Sequence, residues 1–241
     1  MNWRFRYQQQ TLWTQNVRNY LWQKIPLRPE SRVLEVGCGW GAVMESLPFR
    51  PALLAGVDLN LEPLRQAAAD QPGAFCAADA FSLPFAPHTF DIVFCHYLLL
   101  WLDDPAAALA QMARITRPGG AVLALAEPDY AARIEYPPAL EKLGGWQSAC
   151  LEKQGVNLRM GRSLPAAFAR AGLRLIETGI HAGGWDILPE GTESEWAVYQ
   201  ADLAGKIPPA LLAEMRLLDE TARRRAERVS FVPTFYAWAA V

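Results

Sequence analysis

The sequence predicts an α/β protein built on a doubly wound, mostly parallel sheet, and three observations carry that expectation. Short apolar, β-branched runs alternate with helical patterns over more than half the chain. The first run, residues 32–36, feeds straight into Gly37, Gly39 and Gly41, a turn that lets backbone and ligand approach where Cβ atoms would block them. The second run, residues 52–58, ends on Asp58, at the carboxyl edge where sheets of this class bind their ligands.

Residues 8–24 lack helix breakers and carry Leu12, Trp13, Val17, Tyr20, Leu21 and Trp22 at roughly helical spacing, until Pro26 and Pro29 end the helix. Tyr7, Gln9, Gln10 and Trp13 mix polar and aromatic character, which suits either packing on the core or a lid over a ligand. After the glycine turn, residues 42–47 read as the start of a helix, 61–70 as a helix, 73–78 as a short strand, and 91–95 as a strand with His96 and Tyr97 just past its end. Residues 105–115 form an alanine-rich helix, and the turn Arg117-Pro118-Gly119-Gly120 leads into a strand over 121–126. Beyond Glu127 the alternation breaks: helices are expected over 139–153, 164–171, 193–204 and 209–228, and strands over 173–180 and 230–241.

Composition bounds the function. The chain has 241 residues, 51% of them hydrophobic and 20% charged, enough to bury a full core and too apolar for a disordered chain. A formal net charge of -2 argues against a dominant nucleic-acid surface; the triplet Arg223-Arg224-Arg225 reads as a solvated helix face. Cys38, Cys76, Cys95 and Cys150 lack the paired spacing of a metal site, so no metal is expected, and reduced thiols point to the cytoplasm. No apolar run is long enough to span a bilayer and the first residues lack the apolar core of a signal peptide, so a soluble protein is expected. No motif specifies an oligomeric state.

The glycine turn admits two ligand classes. Gly37, Gly39 and Ala42 match a dinucleotide fingerprint, with Asp58 about twenty residues downstream as a ribose-binding acid. Against that stands Glu35, a carboxylate two residues before the first glycine, where a dinucleotide would bring its pyrophosphate. An adenosine ligand with a cationic end and no phosphate satisfies both acids, and S-adenosylmethionine is such a ligand. Asp58 then accepts from the ribose hydroxyls and Asp79 from the adenine amino group.

The run VLEVGCGWG, then GVDLN over 56–60, AADAFSLPF over 77–85, DIVF at Asp91 and RPGG at Arg117 resembles the class I S-adenosylmethionine-dependent methyltransferases. Within that family the chain is similar to the ubiquinone and menaquinone biosynthesis type, the resemblance spanning residues 30 to 127. It implies a Rossmann-like, seven-stranded sheet with an antiparallel last strand. It also implies that Glu35, Gly37, Cys38 and Gly39 line the methionine side, Asp58 binds ribose, Leu59 packs on adenine, Asp79 and Ala80 hold the amino edge, and His96 lies near the reactive methyl. On this reading residues 1–241 form one domain: a helical lid over 1–29, a cofactor-binding half over 30–127, and substrate cover over 128–162 and 186–229.

Methyl transfer is an in-line displacement that alignment accelerates, so no dedicated catalytic residue is required. A base is useful for a hydroxyl or ammonium acceptor, and His96, at a strand's carboxyl end, is the candidate; equally, it contacts cofactor or orients a loop. Trp13, Tyr97, Asp129 and Tyr130 are the candidate contacts to a small-molecule acceptor, although Asp129 could instead cap a turn. His181 is a pocket or turn residue, and Trp101, Trp146, Trp185 and Trp196 are apolar wall or core. Two other readings stay open: an NAD-dependent oxidoreductase, and a non-catalytic cofactor-binding protein of the same fold.

Overall fold

The central strands form because their residues are apolar on both faces. In β1 (Arg32–Val36), Val33 faces one core while Leu34 and Val36 face the other. In β4 (Phe90–Cys95), Ile92 and Phe94 oppose Val93 and Cys95 in the same way. Every one of these side chains is buried, which is why the runs read as continuous and not alternating. The computed structural model describes residues 11–181 and 192–241, without the side chains of 192–195. The expectations for Tyr7, Gln9, Gln10 and Trp185 fall outside the described residues.

Seven strands lie in the order β3-β2-β1-β4-β5-β9-β7, with β2 (Leu53–Asp58), β3 (Ala74–Ala77), β5 (Thr116–Pro128), β7 (Leu175–His181) and β9 (Thr234–Ala240). β3, β2, β1, β4 and β5 pair in parallel, and only β9 runs antiparallel to its two neighbours. The chain leaves β1 toward β2 and β3, then crosses to β4 on the other side. The strand order therefore reverses between β1 and β4, and a crevice opens at their carboxyl ends.

One face of the sheet packs against α3 (Pro105–Ile115) through Leu109, Met112 and Ile115, and against α5 (Met160–Arg170) through Leu164 and Phe168. The other face takes Val17, Leu21 and Trp22 of α1 (Gln15–Lys24) and Leu64 of α2 (Leu61–Asp70). Helix starts are chemically marked: Asn60 accepts from the Glu62 amide, and Asp104 from the amides of Ala106 and Ala107, ahead of which Pro105 sits. A separate core joins α4 (Glu141–Glu152), α6 (Thr192–Leu203) and α7 (Pro209–Arg224) around Leu143, Trp196, Tyr199 and Leu203.

Four expectations are corrected, and one strand pair is new. The turn after β1 leads only into a 3₁₀ turn, Met44–Ser46, because Pro48 holds Leu47 extended at ψ 145 and stops a helix. β5 starts at Thr116, so the Arg117 to Gly120 segment lies within the strand and shifts its register against β4. α5 begins at Met160 and carries Pro165 inside it, whereas the proline suggests a start near residue 164. The last strand is interrupted at Pro233, giving β8 (Val229–Phe231) and β9. β8 pairs with β6 (Ile134–Tyr136), a three-residue strand too short to show a period.

Candidate active site

The glycine turn and Asp58 fold as one unit. The Gly37 and Cys38 amides both donate to the Val57 carbonyl, at 2.8 and 3.0 Å, folding the turn back onto β2. The Gly39 amide donates to Asp58 Oδ2 and the Asn60 amide to Asp58 Oδ1, each at 2.8 Å. Gly37 has φ 73, a conformation that favours glycine, and a Cβ on it would press on Leu98 Cδ1 at 2.7 Å. At Gly41 a Cβ would meet Gln71 Nε2, which reaches over the turn to donate to the Trp40 carbonyl at 3.2 Å.

Glu35 sits beneath this turn, 2% exposed. It accepts from the Met44 amide, while its Oε2 has no hydrogen-bond partner. Burial pushes its pKa well above the usual carboxylate range, and only the Arg18 charge and the Met44 bond pull the other way. Arg18, itself buried, donates to the Thr11 carbonyl, to Thr14 Oγ1 and to Ser46 Oγ. Burial draws it down to about 10, so it stays protonated at neutral pH. The Cys38 thiol is pushed up by burial and then by Glu35 and Asp58, which leaves it an inert wall residue.

The third wall is the loop after β4. His96 Nε2 bonds Thr14 Oγ1 at 2.9 Å, and its ring packs edge-on to Tyr97 at 4.7 Å. Tyr97 adopts φ 54, an uncommon conformation for a side chain of that size, with its amide tied to the Ala126 carbonyl. Glu127, fully buried, fixes the three residues after Tyr97: Oε1 accepts from the Leu98 and Leu99 amides at 3.0 and 2.9 Å, and Oε2 from Leu100 at 3.1 Å. These are the orphan donors at the start of the short 3₁₀ helix Leu99–Trp101.

Together these walls enclose a cavity of about 220 Å³. Glu35, Gly37, Cys38, Gly39 and Asp58 line one side, and His96, Tyr97 and Tyr130 continue it. Leu151, Gln154 and Asp202 close it from α4, the turn after it, and α6, with Trp101 beside them. Leu59, 75% exposed, lies just past Asp58 outside the cavity, as do Asp79 and Ala80; Asp79 holds its own loop by accepting from the Phe81 amide at 2.9 Å.

Three sequence expectations change. Asp129 does not line the cavity: it is fully buried and its carboxylate grips Arg162 through the backbone amide and guanidinium, tying β5 to α5. Trp13 also stands away from it, 44% exposed, with its carbonyl accepting from His181 Nε2. His96 is a poor base here, since burial and then the Arg18 charge pull its pKa down to about 3. Its neutral ring and its bond to Thr14 orient the loop instead.

Sequence reasoning missed Arg18, Glu127, Gln154 and Asp202. A signal existed for Arg18: Thr11, Thr14, Arg18 and Leu21 fall at spacings of three and four, placing polar residues on the buried stripe of the first helix. Glu127 and Asp202 carried none, because their partners are distant in sequence.

Comparison with known proteins agrees with this geometry. Residues 34–124 match the family model described as a methyltransferase domain. A demethylmenaquinone methyltransferase of Corynebacterium urealyticum is 38% identical over 119 residues, covering 49% of this chain and 49% of that protein. The chain thus spans about half the length of the curated relatives it matches. A chain from the complex of the Haloferax volcanii Trm112 methyltransferase activator superimposes with a TM-score of 0.62 at 20% identity, over 98% of this chain and 92% of that one. A structure of geranyl diphosphate methyltransferase in complex with SAM gives 0.57 at 13% identity, over 94% and 84%; likeness at these identities speaks for the fold. Residues 34–124 are thus similar to a methyltransferase domain, and the whole described fold is similar to that of solved methyltransferases.

Proposed function

We propose that the protein transfers the methyl group of S-adenosylmethionine to a small-molecule acceptor, and that alignment of the two, not a dedicated base, drives the step. The observation that carries this reading is Glu35, a buried carboxylate with an unpartnered oxygen in the wall beneath the glycine turn. A buried carboxylate disfavours ionisation unless a cation joins it, and the cofactor's ammonium is such a cation. Asp58 has accepting capacity beyond its two backbone bonds for the ribose hydroxyls, Gly39 leaves open space for the methionine chain, and Leu59, Asp79 and Ala80 are assigned to the adenine. Bound there, the cofactor supplies an electrophilic methyl on a sulfonium.

The same features oppose a dinucleotide. A pyrophosphate needs helix N-terminal amides, and the turn here leads only into Met44–Ser46, with Gln71 closing over it and Glu35 below. His96, Tyr97 and Tyr130 shape the meeting point of donor and acceptor, and Glu127 holds the loop that bears the first two. Residues 30–127 form the donor half, with cover drawn from 128–162 and 186–229 and a lid from 1–29. Four free cysteines suit a cytoplasmic setting, and among the described residues no helix is long and apolar enough to cross a membrane.

Calorimetric titration with S-adenosylhomocysteine and with NAD tests the reading. Micromolar binding of the first, with proton uptake or release that depends on Glu35, is the expected result. Binding of NAD in preference to S-adenosylhomocysteine sinks it.

A further inference from the structure

We infer that Arg18, acting through Thr14, fixes His96 as a hydrogen-bond donor to the cavity, and that this N–H binds the carboxylate at the amino-acid end of S-adenosylmethionine. This rests on the cofactor reading above, which gives Glu35 to the ammonium of the same end. Val36 lies opposite Cys95 where β1 and β4 pair, so Glu35 and His96 stand at two adjacent strand ends. Both line the cavity. An α-amino acid carries its ammonium and carboxylate on one carbon, so its recognition calls for an acid and an N–H side by side.

His96 is turned for this role. Its Nε2 bonds Thr14 Oγ1 at 2.9 Å, and Thr14 is fully buried, outside the described cavity wall. Nδ1 has no hydrogen-bond partner among the described residues and is not one of their buried unpartnered atoms, so it is the nitrogen left to a ligand. Burial and the Arg18 charge keep the ring neutral, and a neutral ring carries one proton. Arg18 donates to the same Thr14 Oγ1, so its charge acts on the Nε2 side of the ring. A lone pair on Nε2 is drawn toward that charge, whereas an N–H there would bring a second positive end to one oxygen. The charge thus places the proton on Nδ1, whatever else Thr14 touches.

The rest of the described wall offers an anion little. No lysine or arginine is among its described lining residues. The amides of Gly37, Cys38, Gly39, Tyr97, Leu98 and Leu100 are already bonded within the protein. Arg18 stays protonated while buried, and its charge reaches the carboxylate through two hydrogen bonds, the first polarising the second. His96 touches the cofactor, and Arg18 is the positioning residue behind it.

The test combines calorimetry, using S-adenosylhomocysteine and its decarboxylated analogue S-adenosyl-3-thiopropylamine, with nitrogen NMR of isotope-labelled histidine. The two ligands differ only in the carboxylate. Wild type should prefer S-adenosylhomocysteine by about tenfold or more, the effect of one hydrogen bond to a charged group. His96→Ala should bring the two ligands within about threefold of each other. His96→Asn, whose amide N–H can stand near the place of Nδ1–H, should keep most of the preference. The nitrogen shifts of His96 should show Nδ1 protonated; Arg18→Met should move the proton toward Nε2 and Arg18→Lys should not, a pattern that a purely structural Arg18 would not give. Where Arg18→Met fails to fold, the wild-type tautomer and the His96 variants decide. A wild type indifferent to the carboxylate, a preference unchanged in a folded His96→Ala, or Nε2 protonated in wild type overturns the inference. Absence of binding of both ligands to wild type overturns the cofactor reading instead.

Discussion

Asp58 does two jobs, and replacing it separates them. Its carboxylate ties the Gly39 and Asn60 amides, each at 2.8 Å, and on the proposed reading also receives the ribose hydroxyls. A hydrogen bond to a charged group contributes about 1.5–3 kcal/mol, so losing the two to the ribose hydroxyls in Asp58→Ala removes about 3–6 kcal/mol before water replaces them. Asp58 is only half-buried, and water recovers roughly half of that, leaving about 1.5–3 kcal/mol, or ~10- to 150-fold in Kd. Release of the turn weakens only a ligand that reaches Gly37 and Gly39. Calorimetry with S-adenosylhomocysteine and with 5′-methylthioadenosine, which keeps the ribose and adenine but lacks the methionine chain, distinguishes the two effects. Both ligands should weaken by that factor, the first somewhat more, and Asp58→Asn should fall between wild type and Asp58→Ala. Unchanged affinity for 5′-methylthioadenosine in Asp58→Ala would refute the ribose assignment, and a loss confined to S-adenosylhomocysteine would assign the whole effect to the turn.

Two buried groups set the expected pH behaviour. Burial pushes Glu127 up from 4.5 to about 7, against the three amide bonds it accepts. A carboxyl whose folded value lies above its unfolded one contributes stability that is complete below pH 4.5 and is lost as pH rises through 7. Denaturant unfolding should therefore show Glu127→Gln gaining on wild type across that window, and a pH-independent difference would count against it. His96, drawn down to about 3, should stay neutral, so an NMR titration should show no imidazole step between pH 5 and 8, where an exposed histidine would titrate. A midpoint near 6.5 would return His96 to the candidate bases.

The sheet was legible in the sequence because β1, β4 and β5 are buried on both faces, which leaves continuous apolar runs that few other arrangements produce. α3 was legible to the residue because Asp104 and Pro105 mark its start. The helix expected after the glycine turn failed on a single residue, Pro48, whose effect on Leu47 outweighed the helical pattern of residues 42–47. The β6–β8 pair was hidden for a different reason: three residues per strand show no period, and its stability comes from partners far along the chain. Arg18 was half legible, as a cation on an apolar stripe, but its meaning depends on Glu35 and His96 lying beside it, which spacing does not reveal.

The two sides of the cavity differ in how they are built, and that difference bears on how specificity is stored. The proposed donor side comes from strand ends one turn from the main core: the turn, Asp58 and Glu35 are fixed by bonds to residues within about one βα unit. The side facing α4 and α6 hangs from a second core around Trp196 and Leu203, and its orientation is set by buried charges: Arg133, Glu135, Arg228 and Asp219. Burying ion pairs adds little stability over apolar packing, since desolvation consumes most of the attraction. Such a network does provide one orientation in preference to others that an apolar core of equal volume would tolerate. Through Gln147 the network reaches Asp202, a residue of the cavity wall, so this side of the cavity is positioned by buried charge. Change in this second core can then reshape that side of the cavity without disturbing the turn beneath which Glu35 lies.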